Sequence, residues 1–518
     1  MTLDLGTPFG TAPAASSDAG TAADTAADTA AAGVDLPPYD RSGIRVGIVH
    51  LGVGGFHRAH QALAVDELLR RGEAREWGIC GVGLLPGDAA MRDALRAQDG
   101  LYTLVTKHPD GALDARVVGS LVEYLFAPDD PEAVLERLAD PATRIVSLTI
   151  TEGGYNFDQV TGEFDATAPA VVADARPGAT PSTVFGYVVE ALARRRARGL
   201  PPFTVMSCDN VQGNGEKART VFSAFATLRD PELGRWVHDA VAFPSSMVDR
   251  ITPVTTDEDR ALVRERLGVE DRWPVVAEPF FQWVLEDRFP LGRPPLEDAG
   301  VQLVRDVEPY ELMKLRLLNA SHQAIAYFGW LSGYRYAHEA VADPVVAAFV
   351  RVFMDREATP TLRPVPGVDL EEYKTTLIER FGNPAVRDTL ARLCAETSDR
   401  IPKWLVPVVR EQLEAGGEIT RSAAIIASWA RYAEGVDEQG TPIEVVDRLA
   451  EELVPLARSQ REDPVAFLRN PALFGSLVDE PRFVEAYLDA LGSLHQVGAH
   501  ATLVALVGVQ EQDAGRSR

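Results

Sequence analysis

Cysteine is nearly missing from this sequence. Three residues in 518, Cys80, Cys208 and Cys394, stand far apart and form no Cys-x-x-Cys pair. That excludes a disulfide framework and a cysteine-held metal site, and it suits a reducing compartment. Basic residues are also short, with 51 Lys and Arg against 76 Asp and Glu, a formal net charge of -25. So acidic a chain offers no broad basic surface to nucleic acid or to an anionic membrane. No apolar run approaches the ~20 residues that cross a bilayer. The first residues lack the basic start and apolar core of a secretory signal. These absences point to a cytoplasmic protein whose partners are small molecules rather than nucleic acid or membrane.

What is present is globular. The chain is 46% hydrophobic, which at this length supplies two or more domain cores. Residues 1–36 are the exception. They are rich in Ala, Thr, Asp and Gly, with Phe9 as their only aromatic residue, and are expected to form a disordered tail.

Folded sequence begins at residue 37. Ile44-Arg-Val-Gly-Ile-Val-His-Leu51 has the short, β-branched character of a buried parallel strand. It runs into Gly52-Val-Gly54-Gly55-Phe56-His57, a helix follows, and Trp77 to Gly83 reads as a second strand. This is a βαβ unit with Gly-x-Gly in its first turn. Such glycines let the backbone approach a pyrophosphate at a helix N-terminus. The third glycine of the usual fingerprint is absent, with His57 in its place. An acid behind the second strand, here Asp88, can hold a ribose hydroxyl pair, and no Arg or Lys adjoins it, which favours NAD over NADP.

Strands and helices continue to alternate. Arg144 to Ile150 is a strand ending at Glu152, Phe203 to Cys208 one ending at Asp209-Asn210, and Ala242 to Val248 one ending at Asp249. Ligands of open α/β sheets bind beyond the carboxyl ends of the strands, so Glu152, Asn210 and Asp249 are site candidates. From residue 301 to 509 helical periodicity dominates, and 510–518 is expected to fray. The fold class is therefore α/β: a Rossmann-like dinucleotide-binding domain over 37–300, then a mainly α-helical substrate-binding domain.

At the start of that second domain, residues 308–329 are expected to form one α-helix. At about 100° per residue, Lys314, Asn319 and His322 share an arc of about 140°, with Glu311 inside it. An amine, an amide and an imidazole on one side of a leucine-rich helix suggest a pocket lining. Joined to a nucleotide domain, they suit hydride transfer between NAD and an alcohol. A lysine can accept the hydroxyl proton and asparagine amides can stabilise the alkoxide. Tyr310, four residues before Lys314, is a rival base. No cluster of His, Cys and carboxylates has the spacing of a metal site.

The sequence resembles the polyol-specific long-chain dehydrogenases and reductases from about residue 40 to 500. The marks are Gly52-Val-Gly-Gly-Phe-His-Arg-Ala-His60, Gln98-Asp-Gly-Leu-Tyr102, Thr151-Glu-Gly-Gly-Tyr155 and Ser207-Cys-Asp-Asn210. Phe243-Pro-Ser-Ser-Met-Val-Asp-Arg-Ile-Thr-Pro253 and Lys314-x5-Asn319-x2-His322 complete them. The resemblance implies metal-independent, NAD-dependent interconversion of D-mannitol and D-fructose by a monomer. It implies Lys314 as general acid/base, Asn210 and Asn319 as the oxyanion hole, and His322 as the residue that orients substrate. Val248, Asp249, Arg392 and Arg400 would line the polyol, and Glu311 a proton path. Relatives that act on arabinitol or fructuronate keep those substrates open, and a dinucleotide-binding sensor without turnover is the non-enzymatic alternative.

Overall fold

The computed structural model describes residues 34–157 and 163–516. The expected tail therefore lies, for residues 1–33, outside the described residues. Its last residues depart from expectation, because Val34 and Asp35 form a short strand paired in parallel with Ala115 and Arg116. The chain divides into two compact units, one ending at Val307 and the other beginning at Glu308.

The strands of the first unit are, in order, β1 (Val34–Asp35), β2 (Val46–Leu51), β3 (Gly78–Gly83), β4 (Tyr102–Lys107), β5 (Leu113–Val118) and β6 (Leu121–Phe126). They continue with β7 (Ile145–Leu148), β8 (Thr204–Ser207), β9 (Ser246–Asp249), β10 (Val275–Ala277), β11 (Gln282–Glu286) and β12 (Gln302–Val304). Five of them make a wholly parallel sheet in the order β6-β3-β2-β7-β8. The order runs outward from β2 on one side and from β7 on the other. The switch point, where such sheets bind ligands, thus lies between β2 and β7. Val49 and Leu51 pack on one face and Ile48 on the other, which is why β2 reads as a nearly unbroken apolar run.

Two smaller sheets, β1-β5-β4-β10 and β12-β11-β9, complete the unit. The second corrects an expectation. β9, which carries Val248 and Asp249, is not a strand of the parallel sheet; it pairs antiparallel with β11. Its start is nevertheless fastened to the end of β8. Asn214 exchanges two hydrogen bonds with the Ser246 backbone, at 2.7 and 2.9 Å, and the Ser246 hydroxyl donates to the Ser207 carbonyl at 2.6 Å.

The second unit is mainly helical. The helices Ala337–Ala342 and Pro344–Phe353 are separate, because Asp343 accepts the Val345 N–H as an N-cap and Pro344 restarts the chain. The last helix, Ala499–Arg516, continues past 509. Ala320–Leu331 is buried almost all round, as befits a central helix.

One polar cluster sits inside the parallel sheet. His50 of β2 meets the Ser147 hydroxyl of β7 at 2.8 Å through Nδ1 and the Thr149 hydroxyl at 2.9 Å through Nε2. Ser147 in turn donates to Gln61 at 2.8 Å. His57 lies flat on His50, ring centroids 3.4 Å apart. Burial pushes His50 down to about 3 and holds His57 well below its ordinary value, with His50 and Arg58 repelling any charge on it. Burial thus holds both rings toward the neutral form. Because both folded pKa values lie below the unfolded value of about 6.5, their contribution to stability is complete above pH 6.5 and is lost as pH falls, for His50 toward about 3. At pH 5 the loss for His50 is about 2 kcal/mol. Unfolding of the wild type and of His57→Phe, measured at pH 7 and pH 5, is expected to show the smaller acid loss in the variant. Equal losses would mean that the buried pair does not govern acid sensitivity.

Candidate active site

In the first unit the candidates gather around the exits of β2, β7 and β8. Gly52 follows β2 with φ +94°, and a Cβ there would lie 2.2 Å from the Thr149 carbonyl oxygen. The same crossing carries a hydrogen bond from the Thr149 hydroxyl to the Gly52 carbonyl at 2.6 Å. The chain itself thus demands glycine at 52. Gly54 is different. It caps the helix Gly55–Ala59, and a Cβ on it would meet one atom within 4 Å, the Gly52 carbonyl oxygen at 3.9 Å. A Cβ on Gly55 would sit at ordinary contact distance, 3.5 Å, from Thr252. Glycine at 54 therefore clears space above the turn, as close approach of a pyrophosphate requires, and the residues fit a dinucleotide.

Phe56 is half-buried and stacks on His60, centroids 4.7 Å apart. His57, which the sequence placed in the cofactor turn, is 1% exposed and lies on His50, so it supports the turn from within rather than contacting a ligand. Asp88 comes late after β3, but the loop folds back. Its Cβ stands 3.1 Å from where a Gly83 Cβ would be, and its carboxylate accepts the Leu85 N–H at 2.9 Å. The late acid thus returns to the end of the strand.

Glu152 stands exposed in the turn after β7, and Asn210 exposed just past β8. Asp209 joins those two exits. Its carboxylate accepts the Thr151 N–H and the Tyr155 hydroxyl, each at 2.8 Å, and Tyr155 also meets the Ser207 hydroxyl at 2.5 Å. Burial pushes Asp209 up to about 6, against the pull of these donors. Thr151 has φ 63° and ψ 169°, a region kept almost wholly for glycine and costing a threonine about 1–3 kcal/mol. Val248 and Asp249 are both buried at the end of β9.

Arg58 and Arg250 were not singled out from the sequence as supports. Arg58 donates to the Trp273 carbonyl at 2.5 Å, while Tyr102 donates to the Arg58 carbonyl at 2.6 Å. Arg250 donates to the carbonyls of Ala59 at 2.7 Å and Glu278 at 3.0 Å, fastening the end of the glycine-turn helix to the chain beyond β9. Each arginine lies within a quoted motif, but the residues beside it give no local sign of its carbonyl partners.

In the second unit the expected single α-helix is interrupted. Glu308–Met313 is α, Lys314–Asn319 is π, and Ala320–Leu331 is α again. The Ala320 N–H reaches back five residues to the Leu315 carbonyl. In an α-helix Lys314 and Asn319 would be about 140° apart. An i→i+5 turn brings residues five apart nearly one above the other, and such single π turns recur at functional sites. Arg316, within this turn, grips both oxygens of Glu411 at 2.8 and 2.6 Å and so holds the segment in place.

Glu311 and Lys314 are each 7% exposed, Asn319 4% and His322 9%. The Asn319 Nδ2 is buried and has no hydrogen-bond acceptor among the described residues. A buried amide donor without an acceptor costs about 1–3 kcal/mol and calls for a functional reason. The His322 ring is held against Phe381, centroids 4.8 Å apart. Tyr310, the rival base, is 2% exposed and donates its hydroxyl to the Pro366 carbonyl at 2.7 Å, a structural anchor. Arg392 is exposed and held by Asp388 through two hydrogen bonds, at 2.7 and 2.5 Å. Arg400 donates to the carbonyls of Arg392 and Leu393 at 3.1 Å. Among the described residues no three His, Cys, Asp or Glu side chains gather as metal ligands.

A dinucleotide turn at the switch point, followed by a helical unit with a buried lysine and asparagine, defines a class, and comparison with known proteins identifies it. The Rossmann-domain model of the mannitol dehydrogenase family matches residues 46–298, and the model of its C-terminal domain matches 306–495. The chain belongs to the mannitol dehydrogenase family of polyol dehydrogenases. It is 49% identical to a mannitol 2-dehydrogenase of Phaeosphaeria nodorum over 91% of this chain and 83% of that one. Among solved structures it resembles Pseudomonas fluorescens mannitol 2-dehydrogenase in a ternary complex with NAD and D-mannitol. The identity is 46% and the TM-score 0.83, covering 92% of this chain and 97% of that one. A D-sorbitol dehydrogenase in substrate-free form is also similar, at 42% identity and TM-score 0.85, over 91% and 97% of the two chains.

The two glycines separate conformation from ligand clearance. Gly52→Ala is expected to lower the unfolding temperature markedly, because its Cβ meets backbone that cannot yield. Gly54→Ala is expected to leave unfolding of the free protein unchanged and to weaken NADH binding, read by fluorescence, about tenfold or more. Unaltered NADH binding in Gly54→Ala would show that the turn does not face a dinucleotide.

Proposed function

We propose that this protein catalyses the NAD-dependent oxidation of D-mannitol to D-fructose and the reverse reduction. The observation that carries the reading is the π turn. It turns Lys314 and Asn319 toward a common side of the helix, and the buried Asn319 N–H lacks an acceptor among the described residues, in a chain of the mannitol dehydrogenase family. Oxidation removes the C2 hydrogen of mannitol as hydride and its hydroxyl hydrogen as a proton. NAD, when bound, supplies the acceptor of the hydride. Lys314 is assigned the proton, since an amine at this position can accept it from the substrate hydroxyl. In reduction the protonated amine returns it to the carbonyl oxygen. Asn210 and Asn319 are assigned donation to the developing alkoxide, which is neutral as an alcohol and charged only as the proton leaves. His322 is assigned orientation of a neighbouring hydroxyl, and Glu311, three residues before Lys314 and so beside it on the helix, a path for the proton.

Gly52, Gly54, Gly55 and Phe56 would form the cofactor turn, Asp88 would hold the adenosine ribose, and Glu152 would border the nicotinamide end. Asp88 carries a negative charge where NADP would place a phosphate, so NAD is the assigned cofactor. Val248 and Asp249 are assigned to the polyol. Arg400 remains a candidate there, whereas Arg392 is engaged by Asp388, which leaves it poorly placed to receive a carboxylate substrate such as fructuronate. No metal is assigned a role. The likeness to a D-sorbitol dehydrogenase supports a second reading, in which sorbitol is oxidised by the same residues.

NADH absorbance with mannitol, sorbitol, arabinitol, fructose and fructuronate tests the assignment. Mannitol and fructose are expected to turn over fastest. Preference for sorbitol would favour the second reading, and no turnover at all would overturn both. Lys314→Ala is expected to lower kcat by about 100- to 10,000-fold with NADH binding retained. A variant within threefold of wild type would remove Lys314 from proton transfer.

A further inference from the structure

We propose that Asp209 is a positioning residue that holds Thr151 in its left-handed conformation and thereby sets the loop geometry on which Asn210 and Glu152 depend. The inference rests on the reading of Asn210 as a donor to the alkoxide. Its observations lie wholly within the first unit. Thr151 is a β-branched residue at φ 63° and ψ 169°, a conformation it does not adopt unaided. The restraint that faces it is the Asp209 carboxylate, which accepts the Thr151 N–H at 2.8 Å. The same carboxylate accepts the Tyr155 hydroxyl at 2.8 Å from the far end of the turn Glu152–Tyr155, so it clasps that turn at both ends. Asp209 is 5% exposed and directly precedes Asn210. Its own backbone is fixed by Asn214, which donates to the Asp209 carbonyl at 3.0 Å.

On its other side the exit of β7 is fixed to the glycine turn. The Thr149 hydroxyl donates to the Gly52 carbonyl at 2.6 Å, and the Thr149 amide to the Leu51 carbonyl at 3.1 Å. Residues 149–151 are therefore bound at one end to the dinucleotide turn and at the other to the residue before Asn210. Asp209 touches no reacting atom in this scheme. It acts through Asn210 and Glu152 by keeping Thr151 from relaxing to an ordinary extended backbone.

The decisive comparison is between Asp209→Ala and the same substitution combined with Thr151→Gly, because glycine adopts the Thr151 conformation without restraint. Asp209→Ala is expected to lower kcat for mannitol oxidation about 100-fold, the scale of a displaced catalytic group, with NADH affinity within about threefold of wild type. Amide exchange in the segment 149–156 is expected to quicken. Adding Thr151→Gly is expected to restore kcat to within about tenfold of wild type. Asp209→Asn, whose oxygen can still accept the Thr151 N–H, is expected to stay within about tenfold as well. If the double variant is as slow as Asp209→Ala, or exchange in 149–156 is unchanged, the proposal is overturned. Should Asp209→Ala alone fail to fold, the double variant is expected to fold, and failure of both would make Asp209 a core requirement and overturn it. Amide exchange reports on the clasp even if the wild type oxidises no polyol, so a failed clasp and a failed functional reading give different results.

Discussion

The π turn Lys314–Asn319, closed by a hydrogen bond from the Ala320 amide to the Leu315 carbonyl, sets the register of the candidate chemistry. Its bonds span five residues rather than four, so Lys314 and Asn319 lie nearer one face of the helix than the about 140° separation of an α-helix. The helix after it, Ala320–Leu331, is buried nearly all round, and the Arg316–Glu411 pair holds the turn itself. An i→i+5 turn is less favourable than α-helix by itself and persists because its surroundings fix it. The exposures of Lys314 and Asn319, each below a tenth, follow from that setting. An amine and an amide so placed exchange few hydrogen bonds with water, which strengthens whatever electrostatic work they do.

The first unit solves a comparable problem with different means. The strand order of its parallel sheet reverses between β2 and β7, and the two exits meet in a crossing so close that only glycine fits at residue 52. Polar side chains then take over. Thr149 holds Gly52, Asp209 holds Thr151, and Arg250 holds the end of the helix that leaves the turn. A buried cluster of His50, His57, Ser147 and Gln61 lies beneath, with burial holding both histidines toward the neutral form. The glycine turn is thus supported from three sides by groups that leave the space at Gly54 clear.

Much of this was legible in the residues, for physical reasons that can be named. β2 and β7 are β-branched runs buried on both faces, and such runs announce parallel strands. Gly-x-Gly between strand and helix marked the dinucleotide turn. The helix carrying Lys314 was evident from its leucines, but its π turn was not, because propensity reports helix without reporting its hydrogen-bond register. The hairpin of β4 and β5 went unread, although Pro109-Asp110-Gly111 between two apolar runs is a hairpin signal. β9 was placed in the wrong sheet, since one short strand does not reveal its partner. The support roles of His57, Arg58 and Asp209 emerge from tertiary contacts and leave little local trace. Asp88 stands late after β3, and the folded-back loop that returns it to the strand end leaves no local trace.

In the proposed reaction hydride passes directly from the polyol carbon to the nicotinamide, and Lys314 takes only the proton. Oxidation of D-mannitol deuterated at C2 and C5 tests it most directly, with the products read by NMR. C2 and C5 of mannitol are equivalent, so the account predicts one deuterium on C4 of the reduced nicotinamide and the other retained in fructose. Unlabelled reduced nicotinamide, with deuterium lost to water, would contradict it.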